Sequence, residues 1–445
     1  MIDRLIKIFK EPPAAPRIQG EKDTAEVYRR WRARMLYGSM IGYALFYLTR
    51  KNISVALPLL SKDLGYSNTE LGILGSLLYI SYAIGKGSLG FFGDRADSRR
   101  FMAFGLTVSA IINILFGFSE SLLVFGILWT MNGLFQAMGA PACAKICVKW
   151  YSVSERGTKW AIWNISHQTG GGVILILAAW LCSWFGWRGA FIGPALICLV
   201  GVFFILNRLR DRPEAIGLPP VDVYRNDPET TETAQQSGKA HESFFSLVAH
   251  RVLLNPRLLL FATGSLLVYV VRYGVMDWAT KYLVEEKGAE IGWAGTMVSL
   301  VEFIGIPGCL IAGWISDRFF NARRAPISII FLFLLAVSVA MFYSVPAGNL
   351  WLDAAMIGAI GFFTYGPQMI LAGVAAADSC GAEVAAAAVG VTGVFSYIGA
   401  IISSFGTGAL IDSFGWGGAF SLWISSAVLG GILLLPLWNA RGRNR

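Results

Sequence analysis

Long apolar stretches separated by short polar segments are the main pattern along this chain of 445 residues. A helix needs about 20 mostly apolar residues to cross the hydrocarbon core of a bilayer. Twelve stretches come close to this length, and several contain Gly or Pro, which membrane helices tolerate. The pattern predicts an all-α membrane protein with twelve transmembrane helices, here called spans 1 to 12. Their approximate positions are 36–57, 69–92, 101–118, 122–148, 157–182, 189–207, 256–276, 291–316, 326–343, 350–373, 384–409 and 417–438.

The composition favours a membrane protein over a soluble one. Hydrophobic residues make up 55% of the chain and charged residues 15%, whereas about a quarter of the residues in soluble domains are charged. Residues 1–34 are polar and basic and lack the apolar core of a cleavable signal peptide, so none is expected. The six cysteines fit no metal-ligand pattern and no disulfide framework, and we expect neither a metal nor another cofactor.

Basic residues are concentrated on one side of the predicted bundle. Of 37 Lys and Arg residues, 29 lie at the two ends of the chain or in loops that follow even-numbered spans, and four lie in loops that follow odd-numbered spans. Cytoplasmic loops of membrane proteins are enriched in Lys and Arg. Both termini and the long central loop are therefore predicted to be cytoplasmic. The net charge of +9 reflects this topology, and no nucleic-acid partner is expected.

The chain divides into two similar halves at the polar segment 208–255. Phe-Gly-Trp occurs at 185–187, before span 6, and again at 414–416, before span 12. Arg50 and Arg272 are separated by a similar number of residues along the chain. Two parallel repeats of six helices around a central site resemble the major facilitator fold. The resulting segments are an N-terminal segment 1–35, a first bundle 36–207, a central loop 208–255, a second bundle 256–438 and a tail 439–445.

The loops after spans 2 and 8 carry a second repeat, Gly-x-x-x-Asp-Arg, which ends in Asp94-Arg95 and Asp317-Arg318. The pair resembles the cytoplasmic signature of the major facilitator superfamily. A Gly admits a neighbouring helix closely, and an Asp can accept from a helix N-terminus or from an Arg of the other bundle. We expect these four charged residues to latch one conformation; a solvated charged turn is the alternative.

Four cations fall inside the predicted spans and more than three residues from their ends: Arg50, Lys51, Lys86 and Arg272. A charge in the bilayer interior costs at least about 2.5 kcal/mol, so such residues usually face a polar cavity. Tyr43, Tyr47 and Arg50 recur at helical spacing on one face of span 1. Tyr269 precedes Arg272 by one turn in span 7. Two guanidiniums beside tyrosine hydroxyls suit a phosphate, because Arg offers paired donors and keeps its charge; a sulfate or carboxylate would also fit.

The remaining charged residues of the spans suggest a network between the halves. Lys51 lies about 100° from Arg50 around a helix, so both should not reach one phosphate. Lys51 instead suits a pair with Asp277 or Glu302, and this pair would act in gating rather than in binding. The alternative is that these carboxylates neutralise the two arginines. Lys86 would either add to the positive field of the cavity or extend to the cytoplasmic surface.

His167 lies in span 5 and shares a helix face with Asn164. It is either a contact to phosphate or to a substrate hydroxyl, with a charge that responds to pH, or a structural hydrogen-bond donor. The glycines at 170–172 would allow close helix packing or a bend.

Several of these residues lie in motifs that resemble the organophosphate:phosphate antiporters of the major facilitator superfamily. The motifs are the runs at 154–157 and 163–164, His167, and "YLTRKN", "RYGVMDW" and "YGPQMI" in spans 1, 7 and 10. The resemblance covers nearly the whole chain and implies that Arg50 and Arg272 bind phosphate. It also implies surrounding substrate contacts from His167, Lys86, Tyr269, Tyr365 and Tyr397.

Smaller features resemble one branch of that family. "GYALFYLTRK", "INILFGFS" and "LLLPLWNA" are most similar to the UhpC-type hexose-phosphate branch, which contains both transporters and a transporter-like sensor. Gln168 departs from the family, which usually has Asn after the histidine, but it keeps an amide. Ala140 stands where glycerol-phosphate members carry Trp, and it would leave room for a larger sugar.

We therefore expect no enzyme but a secondary active antiporter of a bacterial inner membrane that exchanges glucose 6-phosphate, or a related hexose 6-phosphate, for inorganic phosphate. No ATP-binding loop occurs, and two unliganded arginines would resist closure of the halves until a dianion lies between them. The expected partners are the sugar phosphate, inorganic phosphate and lipid, with a monomeric chain. One alternative is a sensor of external glucose 6-phosphate that signals to a membrane histidine kinase. A membrane phosphatase is another, but no nucleophile–base pair supports it.

Overall fold

The computed structural model describes residues 9–18, 20–225, 249–380 and 384–440. Parts of the predicted N-terminal segment, central loop and tail lie outside these residues, at 1–8, 19, 226–248 and 441–445. The described residues form helices joined by short turns, with one isolated bridge between Lys10 and Ala96. This confirms the predicted all-α architecture.

The helices are consistent with the twelve predicted spans. Among the described residues, nine helices are long and apolar enough to cross a membrane. The longest contains two spans, because Gly186 interrupts it, and the first two spans complete the set. The helices of spans 1 to 6 are, in order, Glu21–Leu48 with Asn52–Leu64, Asn68–Gly93, Ser98–Gly117, Leu122–Gln136 with Gly139–Trp150, and Val153–Arg208, which contains spans 5 and 6. The helices of spans 7 to 12 are Pro256–Glu285, Ile291–Phe319, Arg324–Ser344, Leu350–Met369 with Ile370–Ala375 and Ala376–Cys380, Ala385–Phe414, and Trp416–Leu434. Short helices lie at Pro213–Ile216, Val221–Arg225, Ala249–Leu253 and Leu435–Leu437.

Side chains at several helix starts explain where the spans begin. Ser67 accepts a hydrogen bond from the backbone N–H of Glu70, whose carboxylate accepts from the N–H of Ser67, and this capping box starts span 2. Asn255 caps span 7, and Pro256 occupies its first position, where a missing N–H costs nothing. Span 1 begins at residue 21, well inside the segment that the sequence assigns to the N-terminal region.

The predicted internal repeat is visible in the backbone. Gly186 and Gly415 both have φ 66°, with ψ of −173° and −168°. This conformation favours glycine, and it produces the same turn before span 6 and before span 12. The tryptophan that follows each glycine, Trp187 or Trp416, is buried. The two halves thus share a local structure at the positions where their sequences match.

The inner side of the molecule is defined here as the side of residues 208–225 and 249–255, and the outer side is opposite. On the outer side the halves pack closely together. Thr69 of span 2 donates to Asp412 of span 11 from its hydroxyl at 2.6 Å and from its backbone N–H at 2.7 Å. Gly292 of span 8 lies against the ring of Trp180 in span 5. The outer side is therefore closed by contacts of spans 2 with 11 and 5 with 8.

Span 1, which is predicted as one continuous helix, is broken at Thr49–Lys51. Side-chain amides of spans 3 and 4 compensate for the break. The carbonyl of Thr49 accepts from Asn132 at 2.7 Å and Asn113 at 3.1 Å, and its hydroxyl accepts from Gln136 at 2.9 Å. Non-helical backbone at membrane depth is tolerated where protein groups satisfy it. The expectation that Arg50 continues the helical face of Tyr43 and Tyr47 is therefore wrong.

Candidate anion-binding cavity

A cavity of about 900 Å³ lies between the two halves. Its wall includes Gly157 and Asp378 close to the inner ends of spans 5 and 10, whereas the outer side is closed, so the cavity opens to the inner side. Nine of the ten residues predicted to bind substrate line it; the exception is Arg50. These nine are Tyr43, Tyr47, Lys86, Asn164, His167, Tyr269, Arg272, Tyr365 and Tyr397.

Arg272 occupies the cavity wall in the second half and has polar partners. Its guanidinium donates to the hydroxyl of Tyr365 at 2.7 Å and lies 3.4 Å from the carboxylate of Glu302. The Tyr365 hydroxyl also donates to Glu302. The alternative that a carboxylate neutralises an arginine thus applies to Arg272. Its charge is offset, but the planar donor group stays at the cavity wall.

Arg50 lies differently, in the first half and behind two aromatic rings. Its guanidinium is 4.0 Å from the centroid of the Tyr82 ring and 5.5 Å from that of Tyr47. Both tyrosines line the cavity, whereas Arg50 borders a separate small cavity towards Asp277. No ion pair with Arg50 occurs among the described residues, and its Nε atom is buried without a partner. Arg50 is therefore a buried cation held by ring faces rather than by a carboxylate.

Lys51 joins the two halves on the outer side of the arginines. Its ammonium lies 2.6 Å from a carboxylate oxygen of Asp277 and donates to the hydroxyl of Tyr79 at 2.9 Å. Tyr79 donates in turn to the other oxygen of Asp277 at 2.6 Å. The break in span 1 removes the helical geometry on which the predicted direction of Lys51 rested. The structure nevertheless brings Lys51 to Asp277, across the interface between the halves.

His167 bridges the aromatic groups of the two halves. Its ring centroid is 6.2 Å from that of Tyr47 and 6.4 Å from that of Tyr365. The glycines beside it permit close packing: a Cβ on Gly171 would lie 2.9 Å from Glu302, and one on Gly170 would lie 2.7 Å from the backbone of Ala44. Span 5 thus passes tightly between span 1 and span 8.

Two further residues predicted to contact substrate, Lys86 and Tyr397, lie next to each other in the cavity wall. The ammonium of Lys86 is 5.8 Å from the ring centroid of Tyr397. Tyr397 in turn lies 5.3 Å from Tyr82 and 6.4 Å from Tyr269, measured between ring centroids. Lys86 lines the cavity and has no ion pair with a carboxylate in the described part of the chain. Its charge is therefore available to the cavity.

The paired Asp-Arg loops differ from one another. Asp317 pairs with Arg324 of the same half at 2.7 Å. Asp94 and Arg95 are exposed after span 2, while the nearby Asp97 caps span 3 by accepting from the backbone of Arg99 and Arg100. The ion pair of Asp317 does not reach across to the other bundle. Arg318 lies in the last turn of span 8.

Several residues at the cavity were not predicted from the sequence to be part of the binding site. Tyr82, Tyr273, Gln168 and Gln368 line it, and Tyr79 completes the contact of Lys51 with Asp277. Helical spacing carried a signal for Tyr82, which precedes Lys86 by one turn. In the described residues no group of three or more His, Cys, Asp or Glu side chains could hold a metal ion.

The sequence is similar to a known family of membrane proteins and to several of its members. The sequence profile of the Major Facilitator Superfamily matches residues 39–404. The chain is 38% identical to a probable hexose phosphate transport protein of Chlamydia pneumoniae over 98% of each chain. It is 39% identical to the membrane sensor protein UhpC of Salmonella typhimurium, again over 98% of each chain. It is also 38% identical to a glycerol-3-phosphate transporter of Bacillus subtilis over 99% of each chain.

A solved structure supports the fold. A bacterial homologue of the human lysosomal transporter Spinster, in an inward-facing and unoccupied conformation, aligns with a TM-score of 0.71 at 15% identity. The alignment covers 92% of this chain and 96% of the other. Two halves of six helices are thus shared despite little sequence similarity.

Proposed function

Because this chain belongs to the major facilitator superfamily, we propose that it exchanges hexose 6-phosphate, in particular glucose 6-phosphate, for inorganic phosphate. The relatives named hexose phosphate and glycerol-3-phosphate transporters support a sugar phosphate as substrate. The chain is a multi-pass membrane protein. A bacterial inner membrane, with the inner side facing the cytoplasm, is part of the proposal and rests on the distribution of Lys and Arg.

The charge balance of the cavity is the observation that carries this proposal. Asp277 offsets Lys51, and Glu302 offsets Arg272. Arg50 and Lys86 have no carboxylate partner among the described residues, so about two positive charges remain. A phosphate ester carries a charge of about −1.5 to −2 at pH 7. Inorganic phosphate or a sugar phosphate would therefore neutralise the site, whereas a neutral sugar would not.

Binding of the phosphate group would start at Arg272 and the tyrosines of the wall. Tyr47 and Tyr82 separate Arg50 from the cavity, so a phosphate meets their hydroxyls before it meets that guanidinium. Paired donors of Arg match the oxygens of a phosphate. In the proposed site, a small shift of the Tyr82 ring lets the anion contact both arginines, one from each half.

Alternating access requires the cavity to close on its inner side and open on its outer side. The contacts of spans 2 with 11 and 5 with 8 would separate, and the inner ends of the same helices would approach each other. Without an anion, the two cations that lack a carboxylate partner among the described residues, Arg50 and Lys86, would oppose inner closure by repulsion as water leaves the cavity. The bound dianion removes that repulsion, and this would couple movement to loading and make exchange obligatory.

Exchange in proteoliposomes tests the proposal. Vesicles loaded with phosphate should take up labelled glucose 6-phosphate, whereas vesicles without internal phosphate should not. Equal uptake into both would indicate a uniporter or a proton symporter. Binding without uptake in either would favour the sensor, a role for which one similar protein is named.

Substitution of the arginines tests the site. Arg50→Lys and Arg272→Lys keep the charge but lose the paired donors. A hydrogen bond that involves a charged group contributes about 1.5–3 kcal/mol, so we expect phosphate exchange to fall by about 10- to 150-fold in each variant. Arg188→Lys is the matched control, because Arg188 pairs with Glu120 on the exposed outer surface. Near-normal exchange in either cavity variant would remove that arginine from the site.

A further inference from the structure

Two glutamines in the cavity wall are not used by the proposed phosphate site. The amide nitrogen of Gln168 is buried without a hydrogen-bond partner, and the side-chain oxygen of Gln368 is in the same situation. Both residues line the cavity, and neither forms a side-chain hydrogen bond with any described residue. The amide of Gln136, which lies outside the cavity, donates to Thr49 at 2.9 Å, while its oxygen is buried without a partner.

The unpaired amides come from opposite halves and lie beside the phosphate contacts. Gln168 follows His167 in span 5, and Gln368 is three residues after Tyr365 in span 10. The rings of His167 and Tyr365 approach to 6.4 Å between centroids. Met369, next to Gln368, lies 3.9 Å from the amide of Asn164. A ligand held at Arg272 would thus extend between the two glutamines.

Unpaired amides at this depth are costly unless a ligand completes them. A buried donor or acceptor without a partner costs about 1–3 kcal/mol. An amide can donate to one hydroxyl and accept from another, and its two ends are interchangeable by rotation. Hydroxyl groups of a sugar provide both roles. Inorganic phosphate has no sugar hydroxyl groups to offer them.

An aromatic surface beside the glutamines fits the apolar face of a sugar ring. The rings of Trp160 and Trp163 stack with centroids 4.5 Å apart, and the ring of Tyr43 lies 4.8 Å from that of Trp163. All three residues line the cavity, and Trp160 is 37% exposed. Ligand pockets commonly combine such aromatic walls with a few polar groups that fix orientation.

We propose that Gln168 and Gln368 form a subsite for the hydroxyl groups of the sugar, with Trp160 and Trp163 as its apolar wall. This inference rests on the proposed function and adds the determinant of selectivity. The glutamines act on the sugar alone, while the arginines act on the phosphate of either substrate. A site built to hydrogen-bond a substrate hydroxyl rejects analogues that lack it, because its own buried groups are then left unpaired.

Competition by deoxy analogues tests the subsite. Labelled phosphate exchange is measured in proteoliposomes, with glucose 6-phosphate and its 2-, 3- and 4-deoxy analogues as inhibitors. In Gln168→Leu and in Gln368→Leu, the inhibition constant of glucose 6-phosphate should rise about tenfold more than the KM of phosphate. At least one deoxy analogue should bind several-fold more weakly than glucose 6-phosphate in the unsubstituted protein and equally well in one of the variants.

Three further variants keep the test decisive. Gln168→Met keeps the length of the side chain but removes the amide, and Gln368→Asn shortens the side chain but retains an amide. Both should show the same selectivity change if a leucine variant does not fold. Gln136→Leu, a buried amide outside the cavity, should change the affinities for phosphate and glucose 6-phosphate by the same factor. Equal changes in the cavity variants, or a deoxy penalty that persists in them, would overturn the inference. Failure of phosphate exchange in the unsubstituted protein would instead refute the proposed function.

Discussion

The contact of Lys51 with Asp277 predicts how the outer side is held closed. The ammonium and carboxylate are 2.6 Å apart, one from each half, and Tyr79 hydrogen-bonds to both. Both side chains are buried. When the halves separate on the outer side, this pair must break. Asp277→Asn keeps the size and hydrogen-bonding ability of the side chain but removes its charge, so it isolates the electrostatic contribution.

The expected magnitude follows from the burial of Lys51. Removal of one partner of a buried ion pair costs about 3–5 kcal/mol, because the remaining charge is left uncompensated. The Tyr79 hydroxyl stays within reach of Lys51 and reduces this cost, so about 2–3 kcal/mol is reasonable. With the outer side open, water would solvate the ammonium and the cost would largely disappear. Asp277→Asn should therefore shift the equilibrium towards the outward-open conformation by about 30- to 150-fold.

The shift can be measured by electron–electron double resonance in lipid nanodiscs. Spin labels at Asp63 and Ser413, which are exposed at the outer ends of spans 1 and 11, report the separation of the halves after replacement of the native cysteines. Asp277→Asn should add or enlarge a long-distance population. Glu285→Gln is the matched control, because Glu285 pairs with Lys281 within span 7 and does not join the halves.

A double variant distinguishes charge from packing. Lys51→Met combined with Asp277→Asn removes both charges and should return the distance distribution most of the way to that of the unsubstituted protein. In exchange assays, Asp277→Asn should slow turnover more than it weakens binding of phosphate. An unchanged distance distribution, or a double variant that matches the single one, would refute the electrostatic latch. Loss of affinity at a normal maximal rate would place Asp277 in the binding site.

Two other contacts give further predictions. Asp412→Ala removes the cap that Asp412 provides to span 2 across the outer interface. After allowance for its exposure, about 1 kcal/mol is lost, and the same spin-label distances should shift about fivefold towards the outward-open conformation. Glu286→Ala, at an exposed position at the outer end of span 7, is the control. Lys145→Met leaves the buried Asp211 without its cation and removes the ion pair of Glu11. The melting temperature should therefore fall by at least about 3 °C in a tryptophan-fluorescence melt, whereas Lys149→Met should have little effect. A distance distribution that does not move, or a melting temperature equal to that of Lys149→Met, would contradict the respective contact.

The Lys145 cluster also gives an expected pH dependence. Burial tends to raise the pKa of Glu11, but its hydrogen bond and ion pair with Lys145 dominate and leave the pKa below the usual value. A lowered pKa in the folded protein means that Glu11 stabilises the fold above its unfolded pKa of about 4.3 and loses this effect as the pH falls through the folded value.

The fold could be predicted from the sequence because its determinants are local. Runs of apolar residues mark the spans, the excess of Lys and Arg marks one side, and Phe-Gly-Trp marks a turn that only glycine adopts readily. In the described residues that turn occurs twice, at Gly186 and Gly415, with the same φ of 66°. The candidate site was predicted in outline for a similar reason. Charged and tyrosine side chains inside apolar helices are costly to expose to lipid, so they are expected to face a shared polar cavity.

The arrangement around Arg50 could not be predicted in this way. A break in span 1 is permitted only because Asn113, Asn132 and Gln136 come from two other spans to satisfy Thr49. Nothing in the spacing of residues 43–50 reports these partners. Similarly, Asp97 rather than Asp94 caps span 3, because the helix of span 2 continues to Gly93 and Asp94 lies at its C-terminal end. Contacts between distant segments decide these details.

The distribution of charge between the halves links the latch to the substrate. The first half contributes the cations Arg50, Lys51 and Lys86 to the region of the cavity. The second half contributes Arg272 with the carboxylates Asp277 and Glu302, while Asp378 at the inner edge of the cavity is paired with Arg324. The halves therefore attract each other on the outer side through Lys51 and Asp277. On the inner side, closure would enclose Arg50 and Lys86, which lack a carboxylate partner among the described residues, beside the ion pair of Arg272 with Glu302, and an added anion would provide the missing counter-charge. In the proposed exchange, a phosphate dianion would supply that counter-charge, so the asymmetry that holds the outer side closed would also make closure of the inner side depend on the substrate.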